Sequence, residues 1–137
     1  MPTLRLEIVT PETRAYSDDV DFVVLPASEG EMGVYPMHVP LITSIKPGEL
    51  VVTKGGKTTH LAVGEGFVEV TADKVSVLVD MAMTEEAIDE KAAEEAVKRA
   101  EARLKEEHLG DEESALVQAA IAKSLAQLHV KRRRRAI

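Results

Sequence analysis

The chain has 137 residues, no cysteine and a formal net charge of −7 at pH 7. This composition excludes disulfides, thiolate metal sites and cysteine nucleophiles, and no apolar run approaches the roughly 20 residues that a membrane helix needs. We therefore expect a soluble protein, or one that reaches a membrane only through its partners.

The composition changes sharply near residue 83. All 6 prolines and all of the aromatic residues lie before it, whereas alanine, glutamate and lysine dominate the remainder. Proline, glycine and aromatic residues are typical of strands and turns, and alanine with charged residues is typical of helices. The sequence therefore predicts an α+β protein with a β-domain at 1–83 and a helical region at 84–137.

The first region alternates apolar and polar side chains with a period of two. This pattern predicts strands at 4–8 and 20–25, because alternate side chains of a strand face opposite sides of the sheet. Further strands flank Gly55-Gly56 and residues 72–74, which predicts two hairpins. Short strands with frequent turns predict a small antiparallel β-sandwich.

The second region repeats its apolar residues at about every fourth position, which predicts two helices. Thr84 is the predicted N-cap of the first helix, Gly110 its predicted end, and Asp111 the predicted N-cap of the second. Such a short connection predicts an antiparallel helical hairpin. The predicted apolar stripes are Ile88, Ala92, Ala96, Ala100 and Leu104 on the first helix, and Val117, Ile121, Leu125 and Leu128 on the second.

These stripes contain many alanines, which bury little apolar surface each. Two alternatives stay open on this evidence. The hairpin either opens while each helix persists, or it is fixed permanently on the sandwich.

No motif supports an enzyme. Lys57-Thr58 follow Gly56 as in a phosphate-binding loop, but Val51 stands where that motif needs its first glycine. The 4 histidines show no metal-ligand spacing, and no serine lies in a nucleophile motif. We expect no catalytic residue and no metal site.

The carboxyl terminus carries a basic cluster in an otherwise acidic chain, which predicts contact with one local acidic target. Nucleic acid binding is the alternative, since basic runs commonly bind phosphates. Against it, the cluster has no interleaved aromatic residues, and the acidic body would repel a polyanion. The cluster consists of Lys131, Arg132, Arg133, Arg134 and Arg135.

One segment is more specific than any of these patterns. Residues 25–41 read LPASEGEMGVYPMHVPL and closely resemble the signature loop of the epsilon subunit of F-type ATP synthases. The likeness covers nearly all of residues 4–130. It continues in EIVTPE at 7–12, IKPG at 45–48, GEGFVEV at 64–70 and KVSVLVD at 74–80.

The residues of this loop also predict its mechanical character. Gly30 and Gly33 permit a positive φ, while Pro36 and Pro40 fix φ and remove backbone donors. The sequence predicts a stiff loop that carries partner contacts. A purely structural crossover is the alternative.

The resemblance implies a ten-stranded β-sandwich and a helical hairpin in a central-stalk subunit of the proton-translocating ATP synthase. Its implied partners are the gamma subunit, the rotor ring of c subunits and, when the helices extend, the catalytic alpha and beta subunits. The sandwich would couple the rotor to the catalytic head, and the extended helices would block ATP hydrolysis. The subunit would be non-catalytic and peripheral, at the cytoplasmic face of the bacterial cell membrane. Residues Glu31, Met37 and His38 would contact partners.

Many members of the family bind ATP through the motif Ile/Leu-Asp-x-x-Arg-Ala. Ile88, Asp89 and Ala93 match it, Ala92 replaces its arginine, and Arg99 matches a second family arginine. Loss of one guanidinium removes a bidentate phosphate contact. The resemblance therefore implies no required cofactor and at most a weak regulatory ATP site at Asp89 and Arg99.

The basic cluster has a further implication within this family. Its five cations would lock the extended helices against acidic side chains of the catalytic subunits. In the compact state they would be solvated, where exposed pairs contribute only about 0–1 kcal/mol each. The alternative is a solvated terminal tail in both states.

Overall fold

The computed structural model describes residues 2–106 and 110–135, excluding the side chains of residues 106 and 133–135. Within these ranges ten strands are followed by a short 3-10 helix at Glu85–Ala87 and by two α-helices, α1 at Glu90–Glu106 and α2 at Asp111–Arg135. The predicted α+β class is confirmed. The strands are β1 Leu4–Val9, β2 Arg14–Val20, β3 Phe22–Ala27, β4 Gly30–Val34, β5 Leu41–Ile45, β6 Gly48–Lys54, β7 Lys57–Val63, β8 Gly66–Val70, β9 Lys74–Val79 and β10 Ala82–Thr84.

The strands follow the order β10-β7-β6-β3-β5-β8-β9-β1-β2, with β4 paired to β3. Buried leucine, isoleucine and valine side chains from β1 through β9 form one core cluster, and β2 contacts β6 although the two are not neighbours in the sheet. One sheet whose inward side chains share a core has to fold over on itself. The predicted sandwich is confirmed.

One pair of neighbours departs from the antiparallel expectation. Strand β1 runs parallel to β9, with Leu6 opposite Val75 and Ile8 opposite Val77. A parallel pair needs a long connection, and here that connection is most of the β-domain. The pairing brings the first and ninth strands together and joins the two ends of the domain.

The two predicted hairpins are confirmed. Strands β6 and β7 pair up to Lys54 opposite Lys57, with Gly55 at φ 57° and Gly56 at φ 80°. Two successive positive φ values are what a two-residue type I′ turn requires, and glycine adopts them without strain. Strands β8 and β9 form the other hairpin.

The first α-helix begins later than predicted. Thr84 ends β10 and makes no side-chain capping bond, and the 3-10 helix follows it. Asp89 caps α1 instead, because its Oδ1 accepts a hydrogen bond of 3.0 Å from the Ala92 N–H. At α2, the Gly110 carbonyl accepts from the Ser114 N–H, so Gly110 rather than Asp111 holds the capping position. The predicted closure of α1 by Gly110 involves residues 107–109, outside the described part.

The predicted apolar stripes are partly wrong. On α1 the buried residues are Ala93 and Val97, whereas Ala92 is exposed. On α2, Val117 and Leu128 are buried as predicted, but Leu125 is half exposed. Ala96, Ala100 and Leu104 are half-buried, so the contact face of α1 keeps most of the predicted stripe but is centred nearer Ala93 and Val97.

The helices pack in sequence on the sandwich. Helix α2 contacts β6 and β7, and α1 packs on α2. A small cluster of Ala62, Ile88, Ala126 and Val130 joins α2 to the sandwich. Among the described helices, none is both long and apolar enough to cross a membrane.

Candidate functional site

The segment predicted as a stiff loop is a hairpin followed by a short exposed loop. Strand β4 pairs with β3 and occupies the first part, so the loop proper is residues 35–40. Gly30 has the predicted positive φ, at 125°, but Gly33 lies within β4 and does not. Met37 adopts φ 70° instead, and its backbone N–H donates to the Ala72 carbonyl at 2.8 Å. The loop is thus pinned to the turn before β9.

The three predicted partner residues lie along this hairpin and loop. The side chain of Met37 is 79% exposed, and Glu31 is exposed on β4. His38 Nδ1 lies 2.7 Å from the Val39 carbonyl oxygen, so this nitrogen donates and the ring is oriented by its own backbone. The segment presents an apolar and an acidic side chain to solvent from a fixed backbone.

Sequence reasoning missed an apolar surface that continues from this loop. Ile42, Phe67 and Leu78 are 70%, 50% and 41% exposed and lie on the adjacent strands β5, β8 and β9. Phe67 is directly opposite Leu78, and Ile42 lies two residues from the position opposite Phe67. We call these three residues the outer apolar face. Large apolar residues at outward strand positions were its only sequence signal, and exposed apolar clusters mark interaction surfaces.

The two predicted nucleotide residues lie far apart, Asp89 at the cap of α1 and Arg99 within that helix. Asp89 Oδ1 is engaged in the helix cap. Arg99 lines a groove of about 360 Å³ between α1 and α2, together with Arg103, Glu113 and Leu116. Ten residues of helix separate Asp89 from Arg99 by about 15 Å. The structure therefore brings Arg99 near Arg103 but does not bring Asp89 into the same groove.

The basic cluster differs from its prediction. Lys131 Nζ donates to the Glu85 carbonyl at 3.1 Å, and Arg132 Nε lies 3.0 Å from Glu90 Oε1. The Arg132 guanidinium also bonds Glu94. The cluster was expected to be solvated in the compact state; these two residues instead contact the start of α1 and its connection, although Arg132 stays exposed. The side chains of Arg133, Arg134 and Arg135 lie outside the described part.

Two other ion pairs lie outside the basic cluster, one between α2 and the sandwich and one within the sandwich. Lys123 Nζ lies 3.0 Å from Asp80 Oδ2 and ties α2 to the end of β9. On a separate part of the sandwich, Lys54 Nζ donates to Asp18 Oδ2 at 2.6 Å. This hydrogen bond lowers the pKa of Asp18 and raises the pKa of Lys54.

Comparisons with known proteins agree with this two-part organisation. The family described as ATP synthase, Delta/Epsilon chain matches at residues 3–85 by its beta-sandwich domain and at 86–132 by its long alpha-helix domain. The chain is 42% identical over 127 residues to ATP synthase epsilon chain 2 of Syntrophotalea carbinolica, covering 93% of this chain and 92% of that relative. It is 41% identical over 135 residues to the ATP synthase epsilon chain of Dehalococcoides mccartyi, covering 98% and 96%.

A solved structure shares the fold. A chain of the Euglena gracilis mitochondrial ATP synthase, from its OSCP/F1/c-ring cryo-EM structure, superposes with a TM-score of 0.78. The two chains are 22% identical, and the match covers 92% of this chain and 79% of that one.

The sandwich carries an exposed loop and an exposed apolar face, and it is joined to a helical hairpin with few buried residues. These features are typical of a protein that binds partners. The residues that the structure describes contain no group of three His, Asp or Glu side chains that could hold a metal. The chain belongs to the ATP synthase delta/epsilon chain family. The predicted resemblance is confirmed, and nothing in these matches supports the nucleic-acid alternative.

Proposed function

We propose that this protein is the epsilon subunit in the central stalk of an F-type ATP synthase and that it joins the rotor to the catalytic head. The observation that carries the proposal is the pinned loop at 35–40, continuous with the outer apolar face on a domain of this family. A rigid loop beside an apolar face offers both shape and contact area to fixed partners.

The sandwich supplies the permanent contacts. Its loop and outer apolar face bind the gamma subunit and the ring of c subunits. Glu31, Met37 and His38 contribute from the hairpin and loop, where Met37 is held at a positive φ. The core of the sandwich is formed by residues from β1 through β9, so binding does not depend on the position of the helices.

The helices supply regulation and no catalysis. The compact hairpin permits ATP hydrolysis, and its extension along the stalk toward the alpha and beta subunits blocks it. Two small clusters hold the hairpin, one of them Ala93, Val97 and Leu128 between α1 and α2. Alanine and valine bury little surface, so the hairpin separates at a modest cost while each helix keeps its own hydrogen bonds.

The ends of the helices carry two further roles. Arg99, with Asp89 at the cap of α1, gives at most weak ATP binding, because Ala92 supplies no guanidinium. The basic cluster at 131–135 meets acidic side chains of the catalytic subunits in the extended state. The protein acts at the membrane as part of its complex, on the cytoplasmic face of the bacterial cell membrane.

Capture of the tagged protein from native membranes tests this function. We expect the gamma, alpha, beta and c subunits to be retained at low salt and at high salt, because apolar contacts resist screening. Retention of nucleic acid that is lost at high salt, without ATP synthase subunits, would support the nucleic-acid alternative and overturn the proposal.

A further inference from the structure

Two consecutive cations at the end of α2 reach the start of α1. Arg132 Nε lies 3.0 Å from Glu90 Oε1, and its guanidinium also bonds Glu94. Lys131 Nζ donates to the Glu85 carbonyl at 3.1 Å, in the 3-10 helix that connects the sandwich to α1. The contacts therefore link the last turns of α2 to the connection and to the first turns of α1.

The positions of these charged groups favour an ionic contact between the two helices. Glu90 and Glu94 are four residues apart and so lie on the same face of α1. A planar guanidinium with several N–H donors can bridge two carboxylates, which an ammonium does less well. The antiparallel packing also places the carboxylates near the positive end of one helix dipole and the cation near the negative end of the other.

The apolar cluster beside these ionic contacts has few buried residues. Ala93, Val97 and Leu128 are buried between the helices, with Ile121 partly buried against them. The ionic contacts therefore add to this apolar contact in holding α1 against α2.

We propose that Arg132 is an ionic latch that keeps the helical hairpin closed, with Lys131 anchoring the connection to α1. This inference rests on the proposed function, in which the closed hairpin is the form that permits ATP hydrolysis. Opening requires Arg132 to leave both carboxylates. An acidic partner surface that offers it new carboxylates would lower that cost and release the latch.

Hairpin opening in the isolated full-length chain tests the latch. The sequence has 0 cysteines, so Lys57→Cys on β7 and Lys98→Cys on α1 give two unique labelling sites, both exposed. Spin labels at these sites report the distribution of distances between the sandwich and α1. Arg132→Gln should raise the ratio of open to closed molecules by about 2- to 30-fold, the range for two exposed ion pairs.

Three matched measurements separate the latch from a general loss of charge. Lys54→Gln removes a cation and an ion pair from the sandwich and should leave the distances unchanged. Glu94→Gln should open the hairpin less than Arg132→Gln, and the double variant should open it by less than the product of the two effects. The charge exchange Arg132→Glu with Glu94→Arg should restore part of the closed state.

Salt gives an independent measurement that needs no variant. Raising the salt concentration to about 1 M should open the wild-type hairpin and have a smaller effect on Arg132→Gln. Hydrogen exchange of the α1 amides reports the same opening when the open fraction is too small for spin labels. If a variant loses helix content by circular dichroism, the salt series on the wild type decides.

Equal distances and equal exchange in the wild type and Arg132→Gln would overturn the latch, as would multiplicative effects of Arg132→Gln and Glu94→Gln. These measurements use the isolated chain, so their failure leaves binding to the gamma subunit untouched. Failure of the membrane capture would instead overturn the proposed function and leave the latch standing.

Discussion

Met37 shows how a single residue marks the loop that we propose to bind partners. It is held at φ 70° although it is not glycine, and its side chain is 79% exposed. Such a backbone conformation costs about 1 kcal/mol or more and persists where the surroundings impose it, often at functional sites. Here the hydrogen bond from its N–H to the Ala72 carbonyl imposes it. Sequence reasoning had assigned this conformation to Gly33, because glycine composition does not reveal long-range backbone contacts.

Replacing Met37 and His38 together by glutamate should weaken assembly at least tenfold and leave the folded domain intact. The pin to Ala72 uses the backbone of Met37, which the substitution preserves, while two carboxylates would enter an apolar contact. Binding to the gamma subunit and the thermal midpoint of the isolated chain check this. As a control, Lys57→Glu with Thr58→Glu places the same residues at the exposed β6–β7 turn and should not weaken binding. Equal affinities of both double variants would refute the assignment.

Gly66 is required for the approach of β8 to β9. A Cβ at this position would collide with the backbone of Leu78 and Val79, which cannot move aside as a flexible side chain can. We expect Gly66→Ala to lower the free energy of unfolding by about 1–3 kcal/mol. Gly33→Ala is the matched control, because an added Cβ there meets nothing within 4 Å. Urea unfolding of the two variants should give clearly different midpoints, and equal midpoints would contradict the packing argument.

At the scale of elements, the strands were easier to predict than the helix faces. The period of two specifies strand β1 locally, and the Gly55-Gly56 turn specifies the β6–β7 hairpin locally. Strand β2 was missed because an edge strand such as Arg14–Val20 carries charged and polar residues that protect its open edge. The faces of α1 were misplaced because alanine occupies several sides of that helix. The cap at Asp89 was missed because the intervening 3-10 turn has no strong sequence signal.

The start of α1 carries a prediction about nucleotide binding. Ala92→Arg should tighten ATP binding by about 10- to 100-fold, since one charge-assisted hydrogen bond contributes about 1.5–3 kcal/mol. The helix cap should survive, because Asp89 accepts from the backbone of residue 92. Calorimetry should compare the wild type, Ala92→Arg and Ala102→Arg, the last adding the same charge at an exposed site elsewhere on α1. Tight ATP binding by the wild type that Ala92→Arg does not improve would contradict this prediction.

At the scale of the whole molecule, we expect the basic cluster to divide into parts with opposite effects. Lys131 and Arg132 bind α1 and its connection in the compact state, so the cluster as a whole cannot act only on the extended state. The sequence alone could not show this, because it does not reveal which acidic residues of the folded chain lie beside the cluster. In the proposed function, the charges that close the hairpin and those that would hold it extended are neighbours in sequence.

Substitutions in the cluster should therefore change ATP hydrolysis by the assembled enzyme in opposite directions. Arg132→Gln should lower the rate several-fold, because it frees the hairpin to extend. Replacing Arg133, Arg134 and Arg135 by alanine should raise the rate, because it weakens contact with acidic side chains of the catalytic subunits. Steady-state hydrolysis at low salt, with equal subunit content verified, checks both. Changes of the same sign in both variants would contradict this division.

The division between a binding sandwich and an inhibitory hairpin is the central claim. The core of the sandwich is formed by side chains of β1 through β9, so a chain ending at Thr84 keeps it whole. The most direct measurement is ATP hydrolysis by the enzyme reconstituted with the full chain or with residues 1–84. We predict that the shortened chain binds the complex as tightly as the full chain and that hydrolysis is faster with it. Loss of binding, or a rate no higher than with the full chain, would contradict the account.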